Sequence, residues 1–205
     1  MGLLPELTDA FGPSREEVWR ELARQVGGWY VEGNHWRAEK VEARVKNWTI
    51  TLDIQRVGIG ENPTFCTRLR APYVEAGDFQ FQVYRAGVFS WLGKWLGVQD
   101  LVVGHEPFDT GFVIQSNDAG RVRELLGNAR IRELITRQPR IHFGSQPGQA
   151  WGEGAVPPGV SELRFHDRDA IKDIGRLRSL YDLFAETLDQ LCRQGSASPR
   201  HPVAE

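Results

Sequence analysis

The sequence has few cysteines, no excess of positive charge and no long apolar run, and each shortage excludes a class of protein. Its two cysteines, Cys66 and Cys192, form no CxxC pair and no cysteine–histidine ladder, which excludes a zinc site of the usual spacing. The formal net charge of -2 argues against a general nucleic-acid binder. No stretch approaches ~18 consecutive apolar residues, so the sequence predicts no integral membrane segment.

Signatures of catalysis and of cofactor binding are missing as well. There is no GxSxG elbow, and neither cysteine has a sequence context that would lower the pKa of its thiol. The stretch GIGENP lacks the third glycine and the following helix of a dinucleotide site. The N-terminal stretch lacks the features of a secretory signal. We therefore expect a cytoplasmic protein without metal or cofactor, and the sequence favours a non-enzymatic one.

The composition is that of an ordinary globular domain. The chain has 205 residues, of which 40% are apolar and 25% are charged. A chain of this size buries roughly 70% of the surface of its unfolded form, so it needs no disulfide or metal to fold. We predict an N-terminal extension over residues 1–13, a single domain over 14–194 and a disordered tail over 195–205.

The clearest local pattern is a change of phase between two alternating runs. Apolar residues lie on odd numbers up to Val45 and on even numbers from Trp48 onward. A single strand cannot change phase without turning its faces over, whereas a two-residue turn at Lys46 and Asn47 allows the change. The sequence therefore predicts a hairpin that pairs Val45 with Trp48, with Asn47 suited to the positive φ of the turn. Alternating runs at 64–73 and 79–85 extend it to a predicted four-stranded meander.

Apolar residues at helical spacing predict three helical regions. They are an N-terminal helix after Ser14, a middle region that includes Val122 and Ile135, and a long last helix from Ile171 to Leu191. We predict an α+β fold with an antiparallel sheet of about six to seven strands, covered on one face by these helices. The long last helix on a curved sheet is also compatible with an enclosed apolar cavity, as in helix-grip folds.

Polar residues on predicted strands supply the first candidate binding groups. Arg68 and Arg70 are two residues apart on one strand, so their guanidinium groups share a face and could grip a carboxylate or phosphate. The alternative is a solvated face, or arginines paired with neighbouring strands. His142 and His166 lie in two short strands that could pair, either as two metal ligands or as a hydrogen-bonded pair.

The stretch GHEPFDTGFVIQS, residues 104–116, supplies the second candidate site. His105, Glu106 and Asp109 could provide nitrogen and carboxylate ligands, or they could belong to a polar loop. We interpret GHEP as a turn and FDTGFVIQS as a strand with Phe108 and Phe112 on its buried face. Asp109 has the opposite parity, so we predict that its carboxylate accepts from backbone amides of the turn or meets an arginine on a neighbouring strand.

A third candidate is the amphipathic segment WLGKWLG, which contains Trp91 and Trp95. Its apolar residues recur at helical spacing. It could cover the apolar face of the sheet as a lid, or it could dock on a protein partner or a membrane interface, where tryptophan is favoured.

Two of these stretches carry a family resemblance. TRLRAPY and FDTGFVIQSND, followed by VRELL, resemble a family of uncharacterised bacterial proteins with a domain of unknown function. That family has a TR-x-x-AP strand and an FD-x-x-F-x-[IV] strand ahead of a short helical stretch with a leucine pair. The resemblance implies a single domain of a bacterial family and implies no activity. The matching positions are Phe108, Asp109, Phe112, Ile114, Leu125 and Leu126.

Three hypotheses for function follow. The first is a non-enzymatic binding or interaction module for a small apolar or amphipathic ligand or a protein partner, with a homodimer as one option. The second is an acid–base or hydrolytic enzyme that uses Asp109 or His105 with Arg68 or Arg70. The third is peripheral membrane association through Trp91 and Trp95.

Overall fold

The computed structural model describes residues 12–34, 38–57, 64–86, 100–147 and 158–198, and these contain five helices and nine strands. The helices are α1 (Arg15–Val26), α2 (Glu106–Gly111), α3 (Ala119–Gly127), α4 (Ala129–Thr136) and α5 (Ile174–Arg193). The strands are β1 (Trp29–Val31), β2 (Lys40–Val45), β3 (Trp48–Val57), β4 (Thr64–Glu75), β5 (Phe81–Arg85), β6 (Phe112–Ser116), β7 (His142–Pro147), β8 (Val160–Asp167) and β9 (Ala197–Ser198).

All the strands belong to one antiparallel sheet. Its order is β1-β2-β3-β4-β8-β7-β5-β6, and β9 pairs with the end of β4. The predicted α+β class and antiparallel sheet are therefore confirmed, but the sheet is larger than six to seven strands. The two unpredicted strands, β1 and β9, have only three and two residues, which is too short for an alternating pattern to be visible in sequence.

The hairpin of β2 and β3 is confirmed in its register. Val45 pairs with Trp48, as the change of phase predicts. The positive φ falls on Lys46, at 56°, and not on Asn47. The side chains of Lys46 and Trp48 both donate to the carboxylate of Asp189 on α5, at 2.6 and 2.7 Å. These bonds fix the turn to the last helix.

The predicted four-stranded meander is wrong at its last step. Strands β2, β3 and β4 follow one another, but the other neighbour of β4 is β8, and β5 lies between β7 and β6. In the observed register Leu69 of β4 faces Phe165 of β8, and Ala71 faces Leu163. This pairing places apolar residues of the two strands on the same side, so a strand distant in sequence matches β4.

The two sides of the sheet differ in character. One side, here called the core face, carries apolar residues that are almost entirely buried. One row across it consists of Val41, Leu52, Leu69, Phe165, Phe143, Val83 and Ile114. The opposite side, here called the polar face, carries in the adjacent row Asp53, Arg68, His166, His142 and Tyr84.

Helices α1, α3, α4 and α5 pack on the core face and share one apolar core with it. Aromatic rings fill the interface with α5. Phe143 contacts Phe81 and Phe184, with ring centroids 5.8 and 5.6 Å apart. The Tyr181 hydroxyl of α5 donates to the Val41 carbonyl at 3.2 Å. The helix therefore lies directly on the sheet here.

The predicted disordered tail is wrong for its first residues. The backbone amide of Ser196 donates to the carbonyl of Leu191 at 2.8 Å, and Ala197 is buried and pairs with Glu75 of β4. Residues 1–11 and 199–205 lie outside the described part of the chain. Within that part, no helix is both long and apolar enough to cross a membrane.

Candidate functional site

Arg68 and Arg70 lie on the polar face of β4, and both reach toward Asp53 of β3. Arg68 donates through Nε and Nη2 to the two carboxylate oxygens of Asp53 at 2.7 and 2.8 Å. This is the two-pronged geometry that makes arginine–carboxylate pairs strong. Only 12% of the Arg68 side chain and 6% of the Asp53 side chain are exposed, so the pair is largely removed from water.

Arg70 is held less tightly than Arg68. Its Nε lies 3.3 Å from Asp53 Oδ2. The buried Nε of Arg70 has no hydrogen-bond partner within the described ranges. Across the sheet Arg70 faces Arg164 of β8, whose Nε donates to the carboxylate of Glu162. The centre of the polar face therefore contains two arginines directly opposite each other on adjacent strands.

His142 and His166 form the second feature of the polar face. The two residues pair in register on β7 and β8, and their ring centroids are 6.1 Å apart. Burial lowers the pKa of His142 to about 4. Burial, then the neighbouring His142, and then the positive charges of Arg68 and Arg164 lower the pKa of His166 to about 3. Both rings are therefore neutral at pH 7.

A metal site is not assembled around these histidines. No group of three or more histidine, cysteine, aspartate or glutamate side chains that could hold a metal ion occurs in the described ranges. Arg68, opposite His166 on β4, and Arg164, two residues before it on β8, also place positive charge near the ring, which opposes a cation.

Asp109 lies in a helix and not in the strand that its sequence predicts. Helix α2 takes in Phe108 and Asp109, and β6 begins only at Phe112. The prediction was wrong because Phe108 and Phe112, four residues apart, fit a helical spacing as well as an alternating one. Their rings stack with centroids 4.7 Å apart.

The carboxylate of Asp109 accepts hydrogen bonds from three backbone amides. Val103, Gly104 and His105 donate to it at 2.9, 2.9 and 2.7 Å. The predicted bonds to backbone amides of the turn are confirmed. Asp109 therefore fixes the loop that leads into α2, which is a structural role.

Replacement of Asp109 by asparagine is expected to loosen this loop. The amide group keeps one carbonyl oxygen in place of two charged ones, so it cannot accept all three hydrogen bonds. We expect Asp109→Asn to lower the free energy of unfolding by about 1–2 kcal/mol. Hydrogen exchange at the amides of Val103, Gly104 and His105 should become faster. Glu106→Gln, on the exposed side of the same helix, should leave these rates unchanged.

The structure does not bring the two predicted groups of site residues together. Arg68 and Arg70 are on β4, whereas His105 and Asp109 precede β6 at the edge of the sheet. Three strands lie between β4 and β6. Neighbouring strands are ~4.8 Å apart, so the four steps from β4 to β6 amount to roughly 19 Å. The acid–base site predicted from these four residues is therefore not formed. Trp91 and Trp95 lie outside the described residues.

The sequence did not point to three charged residues at the centre of the polar face, namely Asp53, Glu162 and Arg164. A pattern was present, because each has the opposite parity from the apolar residues of its own strand. Parity places a residue on a face but does not say which strand lies beside it. The pairing of β4 with β8 was needed to bring Arg164 opposite Arg70.

Comparisons with known proteins add information on the fold. No family model matches the chain, and no curated protein matches it. Among solved structures, the crystal structure of the mycobacterial trehalose monomycolate transport factor A, TtfA, is similar, with a TM-score of 0.54. The match covers 93% of this chain and 98% of that one at 9% sequence identity. A likeness at this identity shows that the two proteins share a fold.

Proposed function

We propose that the chain is a non-enzymatic binding module and that the polar face of its sheet is the binding surface. The observation that carries the proposal is the set of weakly exposed charges at the centre of that face. The side chains of Arg68, Arg164 and Glu162 are only 12%, 11% and 9% exposed. Removing charges from water is costly even when they are paired, and well-packed apolar residues of similar volume are often at least as stable as a buried ion pair. The presence of these charges on one face of the sheet supports the proposal that this face binds a ligand.

The core face offers less support for the predicted apolar ligand. Helix α5 lies directly on it, with Phe184 against Phe143 and the Tyr181 hydroxyl bonded to the sheet. Trp19 of α1 and Leu177 of α5 are fully buried in the same core. An apolar ligand would have to displace these side chains. The polar face therefore favours a polar ligand, and a protein partner or homodimer stays a prediction from sequence.

The histidine pair supports binding over catalysis. General acid–base catalysis is most efficient when the pKa of the catalytic group lies near the working pH. Because the pKa values of His142 and His166 are about 4 and about 3, neither ring exchanges protons readily near neutral pH. Neutral imidazole rings still donate and accept hydrogen bonds, which suits them to hold a ligand.

The similar solved structure is named as a transport factor for trehalose monomycolate. Its 9% identity supports a common fold and not a common ligand. The proposal stands on the residues of this chain.

Nuclear magnetic resonance of the labelled protein tests the proposal. The probes are a neutral disaccharide, a sugar phosphate, a short dicarboxylate and a fatty acid, which represent neutral, anionic and apolar ligands. We expect at least one polar probe to shift the side-chain resonances of Arg68, Arg164 and His166. The indole resonance of Trp19, buried in the core, serves as the internal control and should not move.

The opposite distribution of shifts would contradict the proposal. If the fatty acid moves the Trp19 and Tyr181 resonances and no probe moves those of the polar face, the ligand enters between helices and sheet. If no probe moves any of these resonances, a small-ligand function at this face is wrong.

A further inference from the structure

Among the residues that the structure describes, the centre of the polar face carries one more positive than negative charge. Three arginines, Arg68, Arg70 and Arg164, lie there beside two carboxylates, Asp53 and Glu162. The adjacent histidine rings add no charge at neutral pH, because burial lowers their pKa values. A half-buried cation without a matching anion is costly, and it attracts one.

Asp53 is shared between two arginines and cannot neutralise both. Both of its oxygens already accept from Arg68 at 2.7 and 2.8 Å. The remaining contact, from Arg70 Nε to Asp53 Oδ2, is an ion pair 3.3 Å long without a hydrogen bond. The Arg70 side chain is 31% exposed, which makes it more accessible than Arg68 at 12%. Within the described part of the chain the Arg70 side chain donates no hydrogen bond, and it lies next to solvent.

Arg164 is the second cation with unused donors. Its Nε donates to Glu162, while its two Nη groups form no hydrogen bond with a residue in the described ranges. Directly opposite residues on antiparallel strands have Cβ atoms about 5 Å apart, and like charges there repel. Arg70 stands on one side of Arg164, and on the other side the register places Gly144, which has no side chain.

We propose that Arg70 and Arg164 form an oxyanion-binding site on the polar face, which takes the phosphate or carboxylate group of a small ligand. An oxyanion between the two guanidinium groups accepts from both and replaces their repulsion by charge-assisted hydrogen bonds. Arg68 and Asp53 position the site, since their mutual bonds leave Arg70 free to turn toward the ligand. This inference rests on the proposed function and names its ligand class.

Titration calorimetry with inorganic phosphate, acetate and phenyl phosphate tests the site. We expect Arg70→Gln and Arg164→Gln each to weaken binding of the tightest probe by at least about tenfold. Arg44→Gln is the matched control, because Arg44 is an exposed arginine on the same side of the sheet, two strands from Arg70. Its loss should change the affinity by less than about twofold. Vesicles with phosphatidic acid, compared with free phosphate, distinguish a lipid headgroup from a soluble anion.

A second measurement keeps the test independent of folding defects. Because Arg70 repels Arg164 in the unliganded protein, Arg70→Gln should leave the melting temperature unchanged or raise it, and anion should stabilise only the parent protein. The proposed site is wrong if Arg44→Gln weakens anion binding as much as Arg70→Gln does, or if Arg70→Gln leaves the affinity unchanged. If the neutral disaccharide shifts polar-face resonances while no anion binds, the anion class is wrong and the proposed function survives. If no probe binds or shifts them, both are wrong.

Discussion

Acidification from pH 7 to pH 5 is expected to lower the free energy of unfolding by about 3–4 kcal/mol. The cause is the pair His142 and His166, which the fold holds in the neutral form. In the unfolded chain each ring has its ordinary pKa of 6.5, whereas the folded values are about 4 and about 3.

The free energy of unfolding falls on acidification because the unfolded chain binds more protons than the native protein. Below pH 6.5 the unfolded chain takes up protons at both histidines, while the native protein does not until the pH approaches 4. Stability falls wherever the unfolded state binds more protons, by about 1.4 kcal/mol per pH unit for each ring. The stabilisation is complete above pH 6.5 and is lost as the pH falls toward the native pKa values.

Urea unfolding at a series of pH values checks this expectation. The double variant His142→Asn, His166→Asn removes both titrating rings and should flatten the dependence between pH 7 and pH 5. His105→Asn is the control, since His105 lies at α2, outside the pair. An equally steep dependence in the double variant would assign the acid sensitivity to other groups.

Replacement of Arg176 by methionine is expected to destabilise the protein by about 3–5 kcal/mol. The side chain of Asp167, at the end of β8, is fully buried, and Arg176 Nη2 of α5 donates to it at 2.6 Å. The same guanidinium group donates to Gln138 and to the carbonyl of Arg140. After the substitution the one ion-pair partner left to the buried carboxylate in the described ranges is Arg140, which is 3.6 Å away and half-exposed. A buried charge that loses its partner is strongly destabilising.

Chemical denaturation of two control variants separates this effect from a change in the helix. Arg178→Met replaces an exposed arginine on the same helix and should change stability by less than about 0.5 kcal/mol. The double variant Arg176→Met, Asp167→Asn should recover part of the loss, because the uncompensated charge is gone. If it is no more stable than Arg176→Met alone, the loss comes from packing of the arginine stem.

Local sequence patterns predicted an element correctly where the spacing of its apolar residues fits only one type of secondary structure. The change of phase between Val45 and Trp48 fits a hairpin alone, and its register is confirmed. Phe108 and Phe112 fit two periods, and there the prediction failed. The place of β8 beside β4 could not be predicted, because strand order depends on which apolar faces match across the whole sheet.

The candidate site also has one part that the sequence predicts and one part that only the fold reveals. That Arg68 and Arg70 share a face follows from the alternation of a strand. What each arginine does depends on its neighbours: Asp53 lies one strand away on β3, and Arg164 one strand away on β8. The first neighbour belongs to an adjacent hairpin, but the second is more than ninety residues further along the chain.

The central position of β8 also sets the order in which the protein can be assembled. The strand joins β4 to β7, yet it is residues 160–167 of a chain of 205. During synthesis the β2-β3-β4 unit can form early, since its contacts are local. Until β8 has left the ribosome, β4 keeps an unpaired edge with Leu69 and Ala71 on its apolar side. A nascent chain that has released β4 but not yet β8 therefore exposes a strand edge prone to aggregation.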